Sequence, residues 1–159
     1  MAYVIECPKV MEPAPTYPDT AEIRQYGALC FRQDAIGGLS VLLITTRETK
    51  RWTIPKGWPI KGLKPHEVAQ REAWEEAGAK GRAKRKPLGH FTYLKWLADD
   101  QAVPASVAVH VMEVKHMKKN FPERGERKLD WVSPAEAARM VAEPDLQALF
   151  RKLEFRYSR

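Results

Sequence analysis

Residues 54–81, IPKGWPIKGLKPHEVAQREAWEEAGAKG, place three glutamates at positions 72, 75 and 76, with Arg71 and Lys80 beside them. On a helix Glu72 and Glu76 are i,i+4 neighbours and Glu75 is i,i+3 from Glu72, so three carboxylates crowd one edge and repel. Two chemistries answer that repulsion. One is a solvated acidic face, partly neutralised by Arg71, which stands four residues before Glu75, and by Lys80. The other is a hard divalent cation such as Mg²⁺, which takes oxygen ligands, uses few protein carboxylates and leaves positions for water and phosphate.

The helix that must carry these carboxylates is bounded by its own sequence. Pro65 suits the first turn, Ala69, Ala73 and Ala77 recur on one face, and Gly78 suits a left-handed residue that ends a helix, so the spacing predicts a helix over 65–77. Two apolar runs, QYGALCFRQD and GGLSVLLITTRE, are joined by Asp34 to Gly38 and read as a hairpin. RWTIPKG reads as a short strand stopped by Pro55, and GHFTYLKW and SVAVHVMEVK as two more strands. In LDWVSPAEAARMVA, Trp131 and Val132 end a strand, Ser133 caps a helix, Pro134 takes its first position, and Glu136 stands three residues after the cap. Leu146, Leu149, Phe150 and Leu153 stripe a last amphipathic helix.

Composition narrows the partners. A chain of 159 residues with 44% hydrophobic content suits one domain with a real core. Twenty-seven Lys plus Arg against twenty Asp plus Glu give a net charge of +7, which favours anionic ligands and leaves nucleic acid open as a partner. Pro8, Pro13, Pro15 and Pro18 mark residues 1–22 as an irregular arm, and 23–159 as the single domain. Cys7 and Cys30 share no metal-ligand spacing, the start MAYVIECPKV lacks the layout of a signal peptide, and no apolar run approaches a membrane span. The expectation is a cytoplasmic protein with reduced thiols and no membrane partner. His66, His90, His110 and His116 form no ligand cluster in the sequence, and Trp52 and Trp131 read as core residues.

Gly57, Arg71, Glu72, Glu75, Glu76 and Gly78 keep the spacing of the Nudix box, G-x5-E-x7-R-E-U-x-E-E-x-G-U, and the chain resembles the Nudix hydrolases on that basis. Leu63 replaces the first glutamate, and Ala73 and Ala79 replace larger aliphatics, with Glu67 one turn on as a partial stand-in for the missing carboxylate. Beyond the box, RETKRWTIPKGWPIKG, GHFTYLK and NFPERGERKLDWVSPAEA resemble the diphosphoinositol and diadenosine polyphosphate hydrolase branch, over about Gln25 to Leu153.

The resemblance implies an α/β fold, a Nudix-type α/β/α sandwich around a mixed sheet. It implies Mg²⁺, with Mn²⁺ as a substitute, held by Glu72 and Glu76, with Glu75 as a further ligand or water partner and the Lys56 carbonyl completing the set. Arg71 would orient a glutamate, and Glu72 would be the base, with Glu123 or Glu126 as rivals. Arg47, Arg51, Lys56 and Arg127 would hold phosphates. The expected reaction is hydrolysis of a phosphoanhydride in a small polyphosphate, either diadenosine polyphosphate or diphosphoinositol polyphosphate. The alternatives are removal of pyrophosphate from RNA 5′ ends, hydrolysis of a nucleoside diphosphate sugar, and a silent domain that only binds a nucleotide.

Overall fold

Two apolar runs separated by a five-residue turn begin the described chain. The computed structural model describes residues 23–98 and 100–157; the expected arm over 1–22, with Cys7, lies outside the described residues. Strands β1 (Arg24–Gln33) and β2 (Leu39–Thr45) pair antiparallel. Their turn is held by Asp34, whose Oδ1 accepts the N–H of Ile36 at 3.0 Å and of Gly38 at 2.6 Å.

RWTIPKG is not the single strand expected. It splits into β3 (Trp52–Thr53), paired with β2, and β4 (Lys56–Gly57), paired with β1. Pro55 between them has no N–H to give a ladder, and its carbonyl accepts the Ala28 N–H at 2.9 Å.

Helix α1 (Pro65–Ala77) has the expected bounds. Glu67 is consumed at its start, where Oε1 accepts the Lys64 N–H at 2.8 Å, and Gly78 ends it at φ 73°. A Cβ at Gly78 would lie 2.6 Å from the Lys118 carbonyl oxygen, so close approach as well as the left-handed conformation selects glycine.

The sequence reading did not anticipate β5 (Ala79–Ala83), a strand whose glycine, lysine and arginine carry little strand propensity. It is followed by β6 (Gly89–Trp96), β7 (Ala102–Met117), β8 (Leu129–Val132), α2 (Pro134–Met140) and α3 (Pro144–Tyr157). β7 starts earlier than expected and includes Pro104, which faces Leu94 of β6. Pairing of β7 with β1 begins only at Ser106, so the missing N–H of Pro104 removes no bond on that side. Ser133 caps α2 as expected, its Oγ accepting the Glu136 N–H at 3.1 Å.

The main path of the sheet runs β3-β2-β1-β7-β5, with β4 on β1, β6 on β7 and β8 on β2. Among the described strands only the β1–β7 pair is parallel, which makes the sheet mixed. On one face Ala69, Ala73 and Ala77 of α1 are fully buried against Ala28, Cys30, Ala79 and Met112. The small side chains let the helix backbone come close to the sheet, which is the packing role of alanine at positions 73 and 79. On the other face α2 and α3 bury Ala137, Ala138, Leu146, Leu149, Phe150 and Leu153 against Leu29, Phe31, Phe91, Val107 and Val109. The result is the expected α/β/α sandwich. Trp52 packs against the second core and Trp131 against the first. No helix of the described residues is long and apolar enough to cross a membrane.

Candidate active site

The acidic edge of α1 faces a cleft, not open solvent. The cleft has a volume of about 990 Å³ and collects the β4 end, the acidic edge of α1, the 46–51 loop, β6 and the loop before β8. Of the residues expected in the site, Glu72, Glu75, Glu76, Lys56, Arg47, Arg51 and Arg127 all line it.

Glu76 is the most buried of the three carboxylates, at 7% exposure. Its Oε1 accepts the backbone N–H of Lys56 at 3.3 Å and its Oε2 receives Arg127 Nη2 at 3.5 Å. Burial raises its pKa, opposed by Arg127 and Lys56. Glu72 is half-buried, and its pKa is also raised, first by burial, then by the charges of Glu76 and Glu75, and by a hydrogen bond with Glu76. A solvated acidic face would carry neither feature. Lys80, which that reading uses as a neutraliser, instead lies with its Nζ 5.2 Å from the centre of the Trp74 ring.

Gly57 explains how the strand end meets the carboxylates. A Cβ built at this position would collide with the Glu72 carboxyl group, so a side chain here would push that carboxyl aside, and glycine lets β4 lie against it undisturbed.

Arg127 supplies the local counter-charge. Its Nε and Nη2 reach Glu123 Oε1 at 3.2 and 2.9 Å, Nη1 reaches the Thr45 carbonyl at 3.1 Å, and Nη2 also approaches Glu76. With its side chain 10% exposed, it ties Glu76, Glu123 and the end of β2 together. Arg47 is exposed at the rim, paired with Glu126 at 3.1 Å, and Arg51 lies 3.9 Å from Glu143. Lys56 has its pKa pushed down to about 8 by burial, against the pull of Glu76 and Glu143, and its Nζ lies 4.7 Å from the centre of the Tyr93 ring.

Arg71 stands apart from this group. Its Nη1 is 3.8 Å from Glu75 Oε2, and it lines a separate hollow of about 270 Å³ with Leu63, Glu67, Gln70 and Trp74. Among the described residues it meets the carboxylate set through Glu75. Of the rival bases, Glu123 lines the cleft, and Glu126 sits at the rim on Arg47.

Sequence reasoning missed part of the wall. Gln25, Trp58, Tyr93, Lys95, Trp96 and Glu143 also line the cleft. Tyr93 donates its hydroxyl to Gln25 Oε1 at 2.5 Å, and Lys95 Nζ lies 5.3 Å from the centre of the Trp58 ring. Trp58 and Trp96 are 45% and 65% exposed, and Glu143 Oε1 is buried without a partner among the described residues. The alternation of β6 signalled a strand, but nothing local in the sequence signalled that its residues form a wall of this cleft.

The donor set fits a hard cation. Among the described residues no three carboxylate, thiol or imidazole groups are placed together so as to hold a metal ion by themselves. Two crowded carboxyls with raised pKa, a third nearby, and open space around them instead match a cation that binds few protein oxygens and keeps several waters.

The comparisons with known proteins agree with the fold. An Ap4A hydrolase of C. elegans superposes with a TM-score of 0.62 at 20% identity, over 84% of this chain and 96% of that one. Its binary complex gives 0.65 at 21% identity over the same shares. A NUDIX hydrolase from Nitrosomonas europaea gives 0.63 at 15% identity, over 85% and 90%. At these identities the likeness speaks for the fold. Curated protein sequences give no match. The NUDIX domain family matches residues 23–153, the segment that contains the glycine-bounded helix, the carboxylate pair and every wall of the cleft. The chain therefore belongs to the NUDIX family and is a pyrophosphohydrolase.

Proposed function

We propose that the protein hydrolyses a phosphoanhydride bond of a diadenosine polyphosphate, with Mg²⁺ as its metal and Mn²⁺ as a substitute. The observation that carries this reading is one cleft that joins a crowded carboxyl pair, a basic rim of Arg47, Arg51, Lys56 and Lys95, and the exposed indoles of Trp58 and Trp96. The carboxyls suit the metal, the bases suit a phosphate chain, and the indoles offer a face on which a nucleobase can stack. A diphosphoinositol polyphosphate is the second reading, supported by the same bases but giving the indoles no partner.

Glu72 and Glu76 hold the cation, with Glu75 as a further ligand or water partner and the Lys56 carbonyl completing the set. When bound, the divalent ion polarises a phosphoryl oxygen and lowers the pKa of water. Glu72 takes the proton of the attacking water. We assign Arg127 to fixing Glu76 and Glu123, since its donors already meet protein acceptors. Arg47, Arg51 and Lys56 remain for the phosphates, and Arg71 orients Glu75. The catalytic domain lies within residues 23–159; residues 1–22 lie outside the described residues. The buried, unpaired Cys30 suits the reducing cytoplasm.

Phosphate release from dinucleoside polyphosphates, inositol pyrophosphates, nucleoside diphosphate sugars and 5′-triphosphate RNA, with and without Mg²⁺, tests the reading. Highest kcat/KM on a dinucleoside polyphosphate is expected, falling about tenfold in Trp58→Ala, which removes roughly 1–1.5 kcal/mol of stacking. Highest kcat/KM on an inositol pyrophosphate, unchanged in Trp58→Ala, would overturn it. Tight nucleotide binding with no turnover on any substrate would favour the silent domain.

A further inference from the structure

The surplus charge of the chain is not spread over its surface. Residues 80–86 and 113–119 carry eight lysines and arginines against one glutamate, a surplus of seven that equals the net charge of the whole chain. The rest of the sequence is neutral by count. These two runs, distant in sequence, are brought side by side by the antiparallel pairing of β5 with β7, with Lys80 opposite His116 and Arg82 opposite Glu113. Lys84, Arg85 and Lys86 extend one end, next to Val111, and Lys118 and Lys119 extend the other, where the Lys118 N–H meets the Gly78 carbonyl at 2.8 Å. All eight cationic residues are exposed.

Counter-charges are scarce. Lys115 lies 3.3 Å from Glu113, and Lys80 stacks on Trp74. Among the described residues Arg82, Lys84, Arg85, Lys86, Lys118 and Lys119 have no carboxylate partner. A charged edge strand guards against edge-to-edge pairing, and Lys80 and Arg82 would serve that purpose. Five further cations lie beyond the ends of the two strands, where there is no edge to guard. Unpaired like charges so close repel, and an external polyanion relieves that repulsion.

The shape of the patch selects the polyanion. β5 alone spans five residues, roughly 17 Å at about 3.3 Å per residue, and cations continue past both of its ends. A single phosphate or small nucleotide covers only a fraction of such a stripe, whereas a linear phosphodiester chain can follow it. A lipid surface fits less well, because membrane-binding faces mix apolar side chains with the cations. Met117, at 38% exposure, is the one large apolar side chain exposed in these two runs, while Ile36, Trp58, Leu94, Trp96, Leu129 and Phe155 lie elsewhere. None of the eight cations lines the catalytic cleft.

We propose that the β5–β7 edge is a second binding site, outside the cleft, that holds the backbone of single-stranded nucleic acid through phosphate contacts. With no tryptophan, tyrosine or phenylalanine between the cations, and His116 as the one exposed ring, recognition is largely independent of base sequence.

Fluorescence anisotropy with labelled 20-nucleotide RNA and DNA strands of mixed sequence, in EDTA and over 50–200 mM salt, tests it. Four to five neutralised phosphates give a slope of log K on log salt near −3, about a sixtyfold loss across that range. Lys84→Ala/Arg85→Ala/Lys86→Ala should flatten the slope by about 2 and weaken binding at least tenfold, with an unchanged melting temperature. Lys118→Ala/Lys119→Ala, at the other end of the stripe, should flatten it by about 1.4. An excess of a dinucleoside polyphosphate, the ligand proposed for the cleft, should leave the strand bound. Wild-type slopes in both folded variants, displacement by the dinucleotide, or binding to phosphatidylserine vesicles but to neither strand would each overturn the proposal. None of these readouts depends on turnover, so the assignment stands or falls apart from the catalytic reading.

Discussion

Replacing Glu76 by glutamine separates a metal ligand from a merely buried carboxylate. The side chain keeps its volume and can still accept the Lys56 N–H, which lies at 3.3 Å. Arg127 is not stranded, because Glu123 remains at 2.9 Å. The repulsion that raises the Glu72 pKa is also relieved. The fold should therefore change by less than about 1 kcal/mol without metal. Binding Mg²⁺ is different: with free ion at 100 times Kd the wild type gains about 2.7 kcal/mol, and for a domain of this size roughly 2–4 °C per kcal/mol gives a rise of about 5–11 °C. Losing one charged ligand costs roughly 1.5–3 kcal/mol, or about 10- to 150-fold in affinity, so at the same Mg²⁺ concentration roughly half to nine-tenths of that rise should vanish. Turnover at saturating Mg²⁺ should fall by two or more powers of ten. Thermal melting with and without Mg²⁺, beside a hydrolysis assay, reads all three quantities. A Glu76→Gln protein that keeps both the Mg²⁺-dependent rise and near-normal turnover would refute the metal assignment.

Without metal, stability should depend on pH in a defined direction. Glu72 and Glu76 have folded pKa values raised from 4.5, so the stability they contribute is fully present below about pH 4.5 and is lost as pH rises toward neutral. In EDTA the melting temperature should fall from pH 5 to 8, and Mg²⁺ should flatten the curve; a flat curve in EDTA counts against the crowding. Gly57→Ala should lower kcat at least tenfold while the protein stays folded, since the added Cβ displaces the Glu72 carboxyl; wild-type kcat would show that the carboxyl can move without consequence. Cys30, fully buried with its thiol pushed up to about 12 by burial, should resist alkylation at pH 8 in the native protein and react after unfolding in denaturant; fast native labelling would mean that β1 opens.

The parts of this molecule that the sequence discloses are those whose cause is local. Pro65, the alanine spacing and Gly78 bound α1 because a helix start, an inward face and a left-handed end each depend on a few adjacent residues. The Asp34 turn and the Ser133 cap are legible for the same reason. β5 was not, because an edge strand rich in lysine and arginine is held by β7, more than thirty residues on, and not by its own propensity. The cleft wall follows the same rule: Tyr93 and Lys95 come from β6, Trp58 from the turn after β4, and Glu143 from the start of α3, and only the assembled sheet brings them together. Arg127 was legible as a base near the site, but its work depends on Glu76, Glu123 and the Thr45 carbonyl, three partners from separate segments.

The departure at Leu63 acquires a physical meaning from the same geometry. Helix α1 presents two chemically separate sides, with Glu72, Glu75 and Glu76 on the cleft, and Glu67, Gln70, Arg71 and Trp74 on the smaller hollow. Leu63 belongs to the hollow. A glutamate there would add its charge beside Arg71 and Lys80, two cations that already face that side. Glu67 does not restore the lost carboxylate to the cleft, since it lines the hollow and its Oε1 caps the helix at Lys64. Among the described residues the two sides are tied by the pair of Arg71 with Glu75 at 3.8 Å, with side chains 46% and 29% exposed, a contact weak enough in water to transmit little. Replacing the box's first glutamate thus alters the far side of the helix and leaves the crowded pair of Glu72 and Glu76, with its counter-charge from Arg127, intact.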